Sequence, residues 1–119
     1  MKFLMMIKHA EQTTPFQPPQ SLNDAMGKFV TEGFTDGWLK DTAGLKPTRD
    51  GRRIRSKGGK LTVIDGPFTE AKEIVGGYAI VETTTKEEAL EIAHKFMELH
   101  RIHIPEFECE SEVRPAEDF

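Results

Sequence analysis

The chain holds one cysteine, one tryptophan and one tyrosine in 119 residues, and it has no long apolar run. Each scarcity excludes something. A lone Cys109 cannot close an intrachain disulfide, which removes the cystine-framework class and fits a reducing compartment. The apolar run at residues 3–7 falls far short of the roughly 20 residues that a spanning helix needs, and it is too short for the core of a secretory signal. The expectation is therefore a cytoplasmic chain without a membrane partner. Excess positive charge is also missing: 16 Lys and Arg stand against 20 Asp and Glu, a net −4, so nothing draws the whole chain to a phosphate backbone. A basic run, Arg49, Arg52, Arg53, Arg55, Lys57 and Lys60, has no aromatic platform or zinc-finger spacing beside it and reads as a solvated hairpin, not a nucleic-acid surface. No glycine-rich phosphate loop or other cofactor motif is present, so the expected chemistry is what side chains can run without a cofactor.

What is present is a pattern of short strands and two helices, with no linker long enough to divide the chain; the reading is one domain over residues 1–119. Lys2-Phe3-Leu4-Met5-Met6-Ile7-Lys8 is apolar on both alternating faces, and Tyr78-Ala79-Ile80-Val81 repeats the feature, so both belong in the middle of a sheet. Two helices cover one side only. The second apolar face predicts another copy of the same sheet, hence a homodimer. Residues 10–20, with Pro15, Pro18 and Pro19, predict a loop that could cover a site. Ser21 and Asp24 have capping-box spacing ahead of Leu22, Met26, Phe29 and Val30, which predicts a helix ending near residues 33–37. A second box, Thr85 to Glu88, precedes Ala89, Leu90, Ala93, Phe96, Met97 and His100. Lys57-Gly58-Gly59 predicts a hairpin turn between two strands. Phe107, Cys109, Ser111 and Val113 alternate inward along a last strand.

The most particular stretch is residues 63–78. A strand ends in Asp65, and Gly66-Pro67 follows as a turn pair in which glycine is read as tolerating positive φ. A short helical turn is expected over residues 68–73, stopped by Gly76-Gly77, with Tyr78 opening the next strand. The run Asp65-Gly66-Pro67-Phe68, followed by Glu70, Lys72 and Gly76-Gly77-Tyr78, resembles the signature of the YCII-related family in its Asp-Gly-Pro-Phe branch. The resemblance implies an α+β fold, ferredoxin-like βαββαβ with an added β-hairpin, paired into a dimeric α/β barrel. It speaks more to shape than to chemistry.

Asp65 is the leading candidate for a catalytic acid or base, as a carboxylate held at the mouth of an apolar cleft. The competing account is an aspartate that bonds the following amides in an Asx-turn. The resemblance implies a His–Asp pair in some relatives. No histidine lies within residues 22–34, so His9, which continues the Phe3, Met5, Ile7 parity, is proposed in that role against the plainer account of a strand-end histidine in water. Tyr78 could orient a ligand oxygen, and Trp38 and Phe68 could line the cleft, although core packing explains the last two as well. His94, His100, His103, Glu106 and Cys109 do not share a helical face, so no metal site is expected and these histidines are read as surface or interface groups. The functional expectation is proton-transfer chemistry on an unknown small molecule: elimination, isomerisation or hydrolysis. The alternative is a dimeric binding or interaction accessory, because domains resembling this one also occur attached to transcription-initiation factors.

Overall fold

The computed structural model describes residues 1–11 and 17–117. The elements follow in the order β1 (Lys2–His9), α1 (Gln20–Asp36), β2 (Leu39–Gly44), a 3-10 turn (Thr48–Asp50), β3 (Arg52–Lys57), β4 (Lys60–Asp65), β5 (Ile74–Glu82), α2 (Lys86–His103) and β6 (Glu110–Pro115). Four strands form an antiparallel sheet in the order β2-β5-β1-β6, and β3-β4 form a separate hairpin. Without that hairpin the chain reads βαββαβ with the strand order of a ferredoxin-like α+β fold, as the sequence predicts.

Register decides which side chains meet the helices. Phe3 pairs with Val81, Met5 with Ala79 and with Val113, and Ile7 with Gly77 and with Ser111. These residues share the covered face. Phe3, Met5, Leu39 and Val81 pack there with Ala89 and Ala93 of α2, supported by Val30, Trp38 and Ile92. The alternate residues, Leu4, Met6, Tyr78 and Ile80, lie on the uncovered face and are half-buried.

The helices differ in how they begin. Thr85 accepts the Glu88 amide at 3.2 Å, so the capping bond of the second box forms, while the Glu88 carboxylate reaches back to the amide and hydroxyl of Thr84, one residue before the cap. The first does not. α1 starts one residue before Ser21 with Pro19 at the cap, whose carbonyl takes the amides of Leu22 and Asn23, and no side chain caps it. Proline sets the entry backbone there, which leaves Ser21 inside the helix to meet His103 across α2 at 3.1 Å. Gly37 in the left-handed region closes α1, its amide bonding the Gly33 carbonyl.

Around Asp65 the structure corrects the expected turn. Gly66 does not take positive φ; it is needed because the Thr48 carbonyl lies where any side chain would stand. The Gly66-Pro67 bond is cis. Residues 68–73 hold a single turn, Ala71 amide to Phe68 carbonyl at 3.1 Å, and not a helix. β5 begins at Ile74, so Gly76 and Gly77 lie within the strand and stop nothing. Both glycines are explained by close approach: the His9 ring packs on Gly76, and the Ala43 carbonyl lies 3.1 Å from where a Gly77 Cβ would be. β6 starts later than its alternating pattern suggests, at Glu110. Part of the proline-rich loop expected over residues 10–20 lies outside the described residues.

Candidate functional site

Between the covered face of the sheet and the two helices is a cavity of about 250 Å³. Its helix-side wall is a chain of rings. Trp38 meets Phe29 at 5.3 Å between centroids, Phe29 meets Phe96 at 6.3 Å, and Phe96 meets His100 at 4.7 Å. Helical spacing makes this possible, since Phe96 and His100 are four apart and stand over one another on α2. Trp38 reaches the wall because Gly33 has no side chain: a Cβ there would come within 2.7 Å of the indole.

Polar side chains in the lining are few: His9, Asn23, Thr42, His100 and Ser111, with the indole N–H of Trp38. Both histidines are fixed in the same sense. His9 Nδ1 lies 2.8 Å from the Ala10 carbonyl oxygen, and His100 Nδ1 lies 3.0 Å from that of Phe96. A carbonyl only accepts, so each Nδ1 carries a proton, and in the neutral ring it is Nε2 that has the lone pair. His9 also tilts against Phe107 at 5.2 Å, and its Nε2 sits over Gly76.

Of the residues singled out from sequence, His9 and Trp38 line this cavity. Tyr78 contributes to the lining, but strand register turns its side chain to the uncovered face, where its hydroxyl donates to Asp41 at 3.3 Å. The Asp41 charge, with burial and this bond behind it, raises the phenol above its ordinary 10.0. Phe68 is buried elsewhere, beneath the Arg53 guanidinium at 3.9 Å, with its amide on the Thr48 hydroxyl at 3.2 Å; that hydroxyl in turn donates to Glu11. Asp65 does not line the cavity. It is exposed and bonded to Arg52 across the hairpin at 2.9 Å, on the same outward face as Ile54, Leu61 and Val63. The amides after it are taken by others, Gly66 by the Gly51 carbonyl and Phe68 by Thr48, so no Asx-turn is needed to hold the turn. The structure thus brings Asp65 and His9 to different places within one chain.

His100 is the residue that sequence reading passed over. It is 7 % exposed, not a surface histidine. The signal was there: His100 stands four residues after Phe96 and seven after Ala93, on the apolar stripe of α2. His94 is exposed and His103 is engaged with Ser21, and no group of three metal-ligating side chains converges among the described residues. Cys109 is half-buried, which pushes its thiol up. On the uncovered face Lys8 and Glu112 bond at 2.9 Å, and that bond raises the amine and lowers the carboxyl.

Comparison with known proteins settles the family. A profile of the YCII-related domain matches residues 1–98. The chain belongs to the YCII-related family. A curated relative from Rhizobium meliloti (strain 1021), itself described as an uncharacterized protein, is 37% identical over 74 residues, covering 62% of this chain and 56% of its own length. The YCII-related chain therefore spans just over half the length of that relative. No helix among the described residues is long and apolar enough to cross a membrane.

Proposed function

We propose that this YCII-related chain binds a small molecule in the cavity between α1, α2 and the sheet, and moves a proton on it with a histidine. The observation that supports this is the pair of imidazoles, His9 and His100, each with its Nδ1 held by a backbone carbonyl, in the lining of a cavity whose wall is mostly apolar. A neutral Nε2 is a proton acceptor and, once charged, a donor, which suits elimination, isomerisation or hydrolysis without a redox cofactor. His9 is the proposed base because it is only half-buried, so its proton can return to solvent. Asp65, the first candidate from sequence, would act in this scheme only outside the cavity.

Asp65-Gly66-Pro67-Phe68 supports the Asp-Gly-Pro-Phe branch, and the half-buried Leu4, Met6, Tyr78 and Ile80 support the pairing of two sheets into a dimeric α/β barrel. One observation favours the accessory reading instead: Ile54, Leu61 and Val63 on the hairpin are 71%, 70% and 62% exposed, a surface more natural to an interaction module than to an enzyme.

Crystals soaked with a metabolite panel, with turnover of the same panel assayed for wild type, His9→Gln and Asp65→Asn, separate these readings. Density against His9, with turnover lost in His9→Gln and kept in Asp65→Asn, is the expected result. An empty cavity with no turnover of any compound rejects the enzyme reading in favour of the accessory. Turnover lost in Asp65→Asn but kept in His9→Gln moves the chemistry to the hairpin.

A further inference from the structure

The charge of the ligand is written in what the cavity lacks. Among the described residues, no Lys, Arg, Asp or Glu contributes to its lining. A carboxylate or phosphate entering it would give up its hydration with no cation to meet it, and an ammonium would find no carboxylate; burying an unpaired charge is among the costliest things a protein can do. A neutral apolar molecule meets the opposite situation, since rings and aliphatic side chains form most of the wall.

Hydrogen-bond accounting narrows the class further. Because the Ala10 and Phe96 carbonyls hold the Nδ1 protons of His9 and His100, the Nε2 atoms of the neutral rings accept and do not donate. A pure hydrocarbon leaves a buried acceptor unmet, whereas a ligand that brings an O–H satisfies it. Building on the proposed cavity site, the geometry points to a neutral hydrophobic alcohol or enol, seated with its hydroxyl hydrogen on an imidazole Nε2 and its apolar body against Phe29, Phe96 and Trp38. Carboxylic acids in their ionised form and phosphorylated compounds belong outside its range.

Trp38 is the chain's one tryptophan and lines the cavity, so its emission reports occupancy without a label. Titration of the intact protein at pH 8 with cyclohexanol, cyclohexane and cyclohexanecarboxylate should shift Trp38 emission with all but the last. Cyclohexanol should bind roughly five- to tenfold more tightly than cyclohexane, the yield of one net hydrogen bond, and at least about tenfold more tightly than the carboxylate. Long-range proton–nitrogen spectra should show one imidazole Nε2 moving with cyclohexanol and not with cyclohexane. In His100→Phe or His9→Phe the alcohol-over-hydrocarbon preference should collapse in whichever variant removes the acceptor, while unchanged cyclohexane binding shows that the variant is folded. Carboxylate binding as tight as alcohol binding, or a preference that survives both substitutions, overturns the neutral-hydroxyl assignment and leaves the cavity site standing. No shift of Trp38 emission with any of the three probes rejects the cavity site itself, and this assignment with it.

Discussion

Tyr78 and Asp41 face each other on the uncovered side of the sheet, and the acid makes phenolate formation harder. Because the chain has one tyrosine, an alkaline absorbance titration reads this group alone. Asp41→Asn removes the charge and should bring the phenol down toward its ordinary 10.0, so that Tyr78 ionises at lower pH than in wild type. The sign for stability follows: a phenol whose folded value is raised contributes below its unfolded value and loses that contribution as pH rises through the folded one. The wild type should therefore lose stability at alkaline pH more steeply than Asp41→Asn, and identical titration curves in the two proteins would show that Asp41 does not govern the phenol. Sequence singled out Tyr78 but not Asp41, because the pairing needs Tyr78 and Asp41, 37 positions apart, to be brought together by the β2–β5 register. Asp65 shows the reverse case. Its local motif was legible, yet which face of a two-stranded hairpin turns outward depends on what lies beneath it, and here Phe68 and Arg53 take the inner side.

Helix α1 carries two glycines whose surroundings are opposite. Gly27 is exposed with nothing near its missing side chain, whereas Gly33 is buried against the indole of Trp38 and the side chain of Leu39. Alanine is favoured over glycine in a helix by about 1 kcal/mol. Gly27→Ala should therefore stabilise the protein by about 0.5–1 kcal/mol in chemical unfolding. At Gly33 the same gain is set against overpacking that costs about 1–3 kcal/mol, so Gly33→Ala should be destabilising on balance and should displace Trp38 emission. A Gly33→Ala variant as stable as Gly27→Ala, with unchanged emission, would mean that the indole moves aside freely. The sequence made α1, α2, β1 and β6 legible because their apolar periods run over several residues, whereas β2, Leu39–Gly44, has no such period. It placed β5 late because the two glycines look like punctuation, and only the cross-strand neighbours His9 and Ala43 reveal that they are slots.

At the scale of the molecule, the half-buried Leu4, Met6 and Ile80 leave an apolar strip on the open side of the sheet, the basis of the proposed pairing. Wild type should sediment as a dimer at micromolar concentration. Met6→Asp, on the open side, should yield folded monomer, whereas Met5→Asp, in the core between sheet and helices, should unfold, since an unpaired buried charge costs several kcal/mol. A folded monomeric wild type under those conditions would reject the pairing. The family was legible because a short turn motif and the two-faced strands both stand in one sequence, while the cavity was not, because its wall is assembled from β1, α1, β2, β5, α2 and β6 and only tertiary packing brings Phe29, Phe96 and His100 into one row.

Among the described residues, the order β2-β5-β1-β6 leaves β2 and β6 as the outermost strands of the sheet; an outermost strand carries a row of backbone groups on its open side. Such rims invite endless lateral growth, strand upon strand. β6 carries Glu110 and Glu112, with Glu108 just before it, and β2 offers six residues broken by a register shift beside Lys40 and Asp41. Charge and brevity thus guard both rims, while the strip between them is apolar. In the proposed pair, two copies meeting face to face would use up that strip and close on themselves, so the distribution of charge on this sheet would set a stopping point: assembly would end at a pair and not run on into a fibre.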